Sequence, residues 1–392
     1  MKFAARISHI LPSVTLGLNE RTLDLRRKGH DIISLGVGEP DIDTPELVCQ
    51  RAIEAINNRE TRYTPTAGTL VLRKAIVGYV KEVYGLDYAI SEVMASSGAK
   101  QVLYNSVLAT ADKDSEFIIS SPYWTSYPEM VHLSGADLVV AETKAENDFK
   151  LTPEILDAAI TKRTSALLLN SPSNPSGVTY TFRELEGLGE VLENRDIWIL
   201  SDDIYCNLLF DGNQFASIAS IPSFRDKTII INGVSKTFSM TGWRIGFAAA
   251  PTNAIAAMTK IQDHSTSCPN AIAQSAAAEA LRQGPALTQT WVDSLEQRRD
   301  LMLDLVGKIP NVRVTIPQGA FYLWIDVNAY MGKGGIRSTL DLADRMLVAG
   351  GVSTVPGEAF GTPGYLRLSF AVTEEHIREG VKRMASCLKK LV

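Results

Sequence analysis

Four short apolar runs, each breaking off at a polar cluster, constrain this chain more than any other feature. They are Glu116-Phe117-Ile118-Ile119-Ser120, Ala166-Leu167-Leu168-Leu169-Asn170, Ile197-Trp198-Ile199-Leu200-Ser201 and residues 228–232. Bounded apolar runs of this length read as strands buried on both faces, the pattern of a largely parallel sheet covered by helices. The clusters that follow them are Ser121-Pro122-Tyr123-Trp124, Ser171-Pro172-Ser173-Asn174-Pro175, Asp202-Asp203-Ile204-Tyr205 and Gly233-Val234-Ser235-Lys236. Open α/β sheets bind ligands beyond the carboxyl ends of their strands, so these clusters are expected to converge on one crevice.

Helical patterns separate the runs, at 46–57, 70–84, 99–108, 183–194, 271–281 and 288–306. The last carries an apolar stripe of Trp291, Leu295, Leu301 and Leu305, with Glu296, Arg298 and Arg299 on a charged face. Beyond it, Phe321-Tyr322-Leu323-Trp324-Ile325 and Tyr365-Leu366-Arg367-Leu368-Ser369-Phe370 read as strands of a separate, smaller unit, and Gly332-Lys333-Gly334-Gly335 as a loop. A chain of 392 residues is too long for one ordinary core, so two domains are expected.

Net charge is −5 with no basic run, which argues against a nucleic-acid surface. Cys49, Cys206, Cys268 and Cys387 form no C-x-x-C pair and read as buried thiols of a reducing cytoplasm. The five histidines show no ligand spacing, so no metal site is expected. No window approaches the roughly 20 apolar residues of a membrane span. The first thirty residues lack the apolar core of a signal peptide, and a cytoplasmic location is expected.

The chemistry begins at Lys236, just past an apolar run, with Arg244 eight residues on between Gly242 and Gly246. A desolvated lysine forms Schiff bases with aldehydes, and an arginine fork suits phosphate. Together they point to pyridoxal phosphate (PLP). That cofactor needs a carboxylate to keep its pyridine nitrogen protonated, and Asp202 at a strand end is suited to it, leaving Asp203 as a surface helix cap. Tyr205 and Asn174 are candidate donors to the ring oxygen. Ser96-Ser97-Gly98-Ala99-Lys100-Gln101 leads into a helix whose exposed amides would cup the phosphate. Trp124 offers a flat surface for the ring. Arg367, flanked by apolar residues, needs an anionic partner: a structural salt bridge or a substrate carboxylate. Gly36-Val37-Gly38 opens like a dinucleotide fingerprint, but Asp41 stands where the third glycine belongs, and Pro40 and Pro45 disrupt the helix.

Leu35-Gly36-Val37-Gly38-Glu39-Pro40-Asp41, Arg62-Tyr63-Thr64-Pro65, Ser121-Pro122-Tyr123-Trp124, Asn170 to Pro175, Ser201 to Tyr205, the Lys236 to Arg244 block and Arg367 occur in an order that resembles the PLP-dependent aminotransferases of class I, fold type I. Among these, the bacterial aspartate aminotransferase subgroup is the nearest likeness, over almost the whole chain. The resemblance implies an α/β fold with a mostly parallel mixed sheet between helices in a large domain, 44–285. A smaller α+β domain would combine 1–43 with 286–392. It implies a homodimer with shared active sites, in which Tyr63 reaches the partner's cofactor phosphate. It also implies ping-pong transfer between amino acid and 2-oxo acid, with Lys236 carrying the proton, Arg367 clamping the α-carboxylate and the Gly38 backbone beside it.

Two positions depart from the family pattern. Gly233 replaces a serine found in some members, which leaves Ser235 as a weaker phosphate contact. Leu11 stands where many members of the subgroup carry a lysine that helps bind a second carboxylate. By resemblance Lys100 takes part in that role, and His264 is the other polar residue expected near it. The expected donor is aspartate or glutamate with 2-oxoglutarate as acceptor. The alternatives are an alanine, aromatic or broad-range aminotransferase, a PLP-dependent lyase, or a non-catalytic binding protein of the same fold.

Overall fold

The computed structural model describes residues 3, 4, 7, 8 and 10–391. Its strands are β1 (Ile33–Ser34), β2 (Val93–Ser96), β3 (Glu116–Ser121), β4 (Asp137–Glu142), β5 (Thr164–Asn170), β6 (Trp198–Asp202), β7 (Thr228–Gly233), β8 (Gly246–Ala249), β9 (Arg313–Thr315), β10 (Tyr322–Asp326), β11 (Val352–Ser353), β12 (Val355–Pro356) and β13 (Tyr365–Ser369). The helices are α1 (Val14–Arg27), α2 (Glu46–Asn57), α3 (Leu70–Tyr84), α4 (Ala99–Thr110), α5 (Tyr127–Ser134), α6 (Pro153–Ala159), α7 (Phe182–Leu192), α8 (Thr252–Asp263), α9 (Ala271–Gln283), α10 (Gln289–Val306), α11 (Thr339–Gly350) and α12 (Glu374–Lys389).

Seven strands form one sheet in the order β2-β8-β7-β6-β5-β3-β4. Only β8 runs against its neighbours, so the sheet is mixed but mostly parallel. The apolar runs make it because successive residues supply opposite cores. Leu167, Leu169 and Ile199 pack with Leu185 and Leu188 of α7, whereas Leu168, Leu200 and Ile229 pack with Val102 and Leu103 of α4. An antiparallel sheet, β12-β13-β10-β9, is built from the C-terminal third, and β1 joins that region by pairing with β11.

Helix ends follow local chemistry. Thr69 caps α3 by accepting from the Leu72 amide, and Gly85 closes it in the left-handed conformation at φ +69°. Thr181 and Glu184 form a capping box at α7, which starts that helix one residue before the expected point. On α10, Trp291 and Leu295 are buried as expected, but Arg299 is not on a solvated face. It is 3% exposed, lies over the Phe210 ring and pairs with Asp211 and Asp300 at 2.5 and 2.7 Å. Asp41, the residue that spoils the dinucleotide fingerprint, accepts from Trp291 Nε1 at 3.1 Å and from Arg298 at 2.5 Å. It thereby ties the N-terminal segment to α10. Of the four free cysteines, Cys206 and Cys387 are buried, while Cys49 and Cys268 are partly exposed, contrary to the reading of all four as buried. No helix among the described residues is long and apolar enough to cross a membrane.

Candidate active site

Parallel register brings the polar clusters together. Asn170 and Asp202 are partners at the ends of β5 and β6, and Asp202 sits opposite Ile231 of β7, two residues before Gly233. A cavity of about 420 Å³ opens at this edge, lined by Lys236, Asp202, Tyr205, Asn174, Trp124 and Arg367 among others.

Lys236 Nζ donates to the Gly38 carbonyl at 2.6 Å. Burial lowers its pKa to about 8, opposed by the Glu39 charge and reinforced by Arg367 and Arg244. The loop that carries it is tightly closed. A Cβ on Gly233 would stand 3.0 Å from Gly246 Cα and from the Ile245 carbonyl, so the family's serine would crowd this backbone.

Arg244, itself at φ +57°, donates to the Thr241 carbonyl at 3.0 Å. Its guanidinium lies where a side chain on Gly98 would be: a Cβ there would meet Nη2 at 2.5 Å, and Gly98 has φ +89°. A Cβ on Gly246 would stand 2.2 Å from the Ala99 amide. These glycines let an arginine fork approach the N-terminus of α4. Lys100, exposed overall, holds its ammonium 4.7 Å above the Trp124 ring, and desolvation followed by the Arg244 charge lowers its pKa. Ser235 lines the same cavity.

Asp202 is 3% exposed. Its Oδ2 accepts from Tyr127 Oη at 2.6 Å and its Oδ1 from the Ile204 amide at 3.4 Å. Burial raises its pKa to about 6, against the pull of these two donors and of Lys236. Tyr205 Oη lies 3.0 Å from Tyr322 Oη. Asn174 is held by its amide's hydrogen bond to Asn170 Oδ1 at 2.9 Å, and its own Oδ1 accepts from Arg367 Nη1 at 2.8 Å.

Of the two alternatives left by its sequence, Arg367 does not make the structural salt bridge among the described residues. It is 3% exposed and forms no ion pair with any described carboxylate. Its neutral partners are Asn174 and the Gly36 carbonyl, at 2.8 and 3.0 Å, and it stacks 4.2 Å over Tyr322. Its Nε has no hydrogen-bond partner. A buried guanidinium so poorly neutralised, facing a cavity, can receive an anion.

Some expected residues stand elsewhere. Tyr63 is 94% exposed and does not line the cavity of its own chain. His264 is exposed at the end of α8 and also lies outside the lining. Leu11 is 70% exposed, and its amide donates to Glu129 Oε2 at 3.0 Å. Asp203 caps no surface helix. It is 1% exposed and accepts from Ser201 Oγ at 2.7 Å and Ser217 Oγ at 3.5 Å, because β6 is followed by tight turns rather than by a helix. Burial, the first of several causes, raises its pKa to about 7.

Tyr127, Tyr322 and Asn170 are site residues that the sequence reading did not single out. Tyr127 opens α5 three residues after Trp124, and the two rings meet edge to face with centroids 5.4 Å apart. Tyr322 shares a face of β10 with Trp324, the register partner of Arg367. No group of His, Cys, Asp and Glu among the described residues could hold a metal ion.

Comparison with known proteins gives the family and the fold. The model of the family "Aminotransferase class I and II" matches residues 30–384. The aspartate aminotransferase of Geobacillus stearothermophilus is 42% identical over 385 residues, covering 98% of each chain. The aspartate/prephenate aminotransferase of Nitrosomonas europaea is 40% identical, covering 99% of this chain and 100% of its own. The crystal structure of the Rhizobium meliloti aspartate aminotransferase superposes with a TM-score of 0.96 at 39% identity over the whole of both chains. That of the Thermus thermophilus aspartate aminotransferase with maleate gives 0.93 at 37% identity, covering 99% of this chain and 100% of the other. The chain belongs to the class I and II aminotransferase family. Its activity is the pyridoxal-phosphate-dependent transfer of an amino group.

Proposed function

We propose that the amino group comes from aspartate or glutamate and passes to a 2-oxo acid such as 2-oxoglutarate, in ping-pong order. The observation that carries this reading is the buried Arg367 without an ionic partner, in the same cavity as Lys236 and with Lys100 as a second cation. The names of the similar enzymes, and the dicarboxylate maleate in the T. thermophilus structure, support it.

The donor set fits the cofactor. Gly98 leaves no room for a side chain beside Arg244, so amides 98–99, Lys100, Ser235 and Arg244 can surround a phosphate group. Asp202, fixed by Tyr127, would serve the ring nitrogen, Tyr205 and Asn174 the ring oxygen, and Trp124 the ring face. When bound, pyridoxal phosphate supplies an aldehyde that condenses with amines and a ring that draws electrons from the α-carbon. Arg367, Asn174 and the Gly38 backbone hold the substrate's α-carboxylate, which fixes its Cα over the site. Lys236 Nζ takes the Cα proton and returns it on the other side of the exchange; a pKa near 8 suits a group that must both accept and give a proton.

A homodimer with shared sites is part of this reading. Tyr63 is 94% exposed, and Ile53 and Ile56 of α2 and Leu70 and Val71 of α3, the helices on either side of its loop, are each about half exposed, apolar surface that favours association. The division into 44–285 and 1–43 with 286–392 is supported by the seven-stranded sheet falling inside the first range and all other strands outside it. A cytoplasmic location fits four free cysteines. A second reading, with alanine or an aromatic amino acid as donor, is favoured by Leu11 alone, since no cation occupies that position. Steady-state assays of the other nineteen amino acids with 2-oxoglutarate, and of glutamate with oxaloacetate as acceptor, test the choice. Aspartate and glutamate should show the highest kcat/KM among all donors, and alanine or an aromatic residue ahead of both would overturn the proposal.

A further inference from the structure

Two glutamines, Gln262 and Gln274, are fully buried, and neither touches the cavity. Each is instead spent on one stretch of irregular backbone, residues 61–69, which carries Tyr63. Gln262 Nε2 donates to the Thr66 carbonyl at 2.8 Å and to the Ala95 carbonyl at 2.9 Å. Its Oε1 accepts from Ser96 Oγ at 2.5 Å and from Asn105 Nδ2 at 2.9 Å. Both donors and both acceptor sites of the amide are thus used. Gln274 Oε1 accepts from the Thr69 amide at 2.7 Å, and its Nε2 donates to Thr64 Oγ1 and the Pro269 carbonyl, each at 2.9 Å.

The Ala95 amide also donates to the Ala67 carbonyl at 3.0 Å. The loop is therefore fastened to the last residues of β2, and β2 runs directly into the turn 96–99 that begins α4. An exposed loop of ordinary surface type does not need two buried amides beneath it, one saturated and the other making three hydrogen bonds. This one holds out an aromatic side chain that is 94% exposed.

We infer that Gln262 and Gln274 are positioning residues that couple the two phosphate cups of a dimer. Gln262 grips the turn 96–99 of its own protomer and, through Thr66, fixes the loop that aims Tyr63 at the partner's cofactor; Gln274 braces the same loop from its other side. The inference rests on the shared-site reading of Tyr63 given above.

Mixed dimers test it, with release of the lysine-bound cofactor chromophore as the readout. One subunit carries Lys236→Ala, so that covalently held cofactor reports only on the other, unsubstituted subunit. Adding Gln262→Ala to the Lys236→Ala subunit should speed release from the intact subunit about tenfold, the scale of one lost buried hydrogen bond. A purely structural defect in the altered subunit would leave its neighbour's release rate unchanged. Gln274→Ala, which leaves the turn 96–99 untouched, should act in the same direction and serves if the Gln262 variant does not assemble. Tyr63→Phe in the same position of the mixed dimer is the reference. If Tyr63→Phe speeds release and neither glutamine variant does, the coupling is wrong and the shared site stands. If none of the three has an effect, the shared-site reading fails and the coupling with it.

Discussion

Tyr127 Oη donates to Asp202 Oδ2 at 2.6 Å, a hydrogen bond between two buried side chains at the carboxyl edge of the sheet. Desolvation raises the Asp202 pKa to about 6, and this phenol is the largest influence opposing it. Tyr127→Phe removes the donor without changing the ring. The Asp202 pKa should rise further, so cofactor affinity should fall on the acid side at a higher pH than in the wild type. Folding stability should drop by about 0.5–1.5 kcal/mol, the usual net worth of such a bond. Cofactor titrations across pH check this, and an unshifted acid limb would contradict it.

Asp203 gives a prediction of the opposite sense from a typical salt-bridged carboxylate. Its pKa rises from an ordinary 3.8 to about 7, with burial as the first cause, Ser201 and Ser217 hydroxyls and Tyr84 beside it, and the Asp202 charge adding to the rise. The folded state therefore holds this proton more tightly than the unfolded chain. Its contribution to stability is fully present below about pH 4 and is lost as pH rises through about 7. Asp203→Asn should match the wild-type apoprotein near pH 4 and exceed it at pH 8. Urea melts at the two pH values read this directly, and a difference independent of pH would contradict it.

How much of this could be read from the residues depended on how local the signal was. Helices α2 and α3 fall where their apolar spacing and flanking Pro45, Thr69 and Gly85 set them. Asp202, Asn174 and Lys236 converge because parallel strands must deliver their carboxyl ends to one edge, whereas Arg367 meets them from β13 of the antiparallel sheet, through Asn174. Tyr322 and Asn170 act through cross-strand neighbours, which no local pattern reveals. A strand-end aspartate such as Asp203 looks the same before a helix as before a turn, and the hydroxyls of Ser201, Ser217 and Tyr84 that make its burial tolerable lie up to more than a hundred residues away. Tyr63 and His264 carry no signal of their own within a single chain.

The close approach of Gly98 and Arg244 can be probed by one methyl group. Gly98→Ala places a Cβ 2.5 Å from Arg244 Nη2 and forces a φ of +89° on an L-residue. A side chain at this φ with ψ 161°, a region that only glycine adopts readily, costs about 1–3 kcal/mol, and the guanidinium must move as well. Cofactor affinity should fall by at least about tenfold, with a lower Tm in the apoprotein. Fluorescence titration with pyridoxal phosphate checks the first, and wild-type affinity would contradict the assignment of this cup.

Lys100 and Arg367 should separate by substrate. Lys100→Ala should lower kcat/KM for aspartate by about 1.5–3 kcal/mol of transition-state stabilisation beyond the loss seen with alanine, which reports the contact to the cofactor phosphate alone. Arg367→Lys should lower both, because a lysine cannot reproduce the fork held by Asn174 and Gly36. Equal losses for aspartate and alanine in Lys100→Ala would mean that this lysine serves the cofactor alone.

The most direct test of the whole account is a single half-reaction. Enzyme loaded with pyridoxal phosphate is mixed with L-aspartate and no oxo acid, and the cofactor and products are quantified together. One oxaloacetate per subunit should form as the cofactor converts to pyridoxamine phosphate, with no ammonia released, and the Lys236→Ala protein should fail to complete the conversion on the same timescale. Ammonia release with the cofactor left as the aldehyde, or full conversion without Lys236, would contradict it.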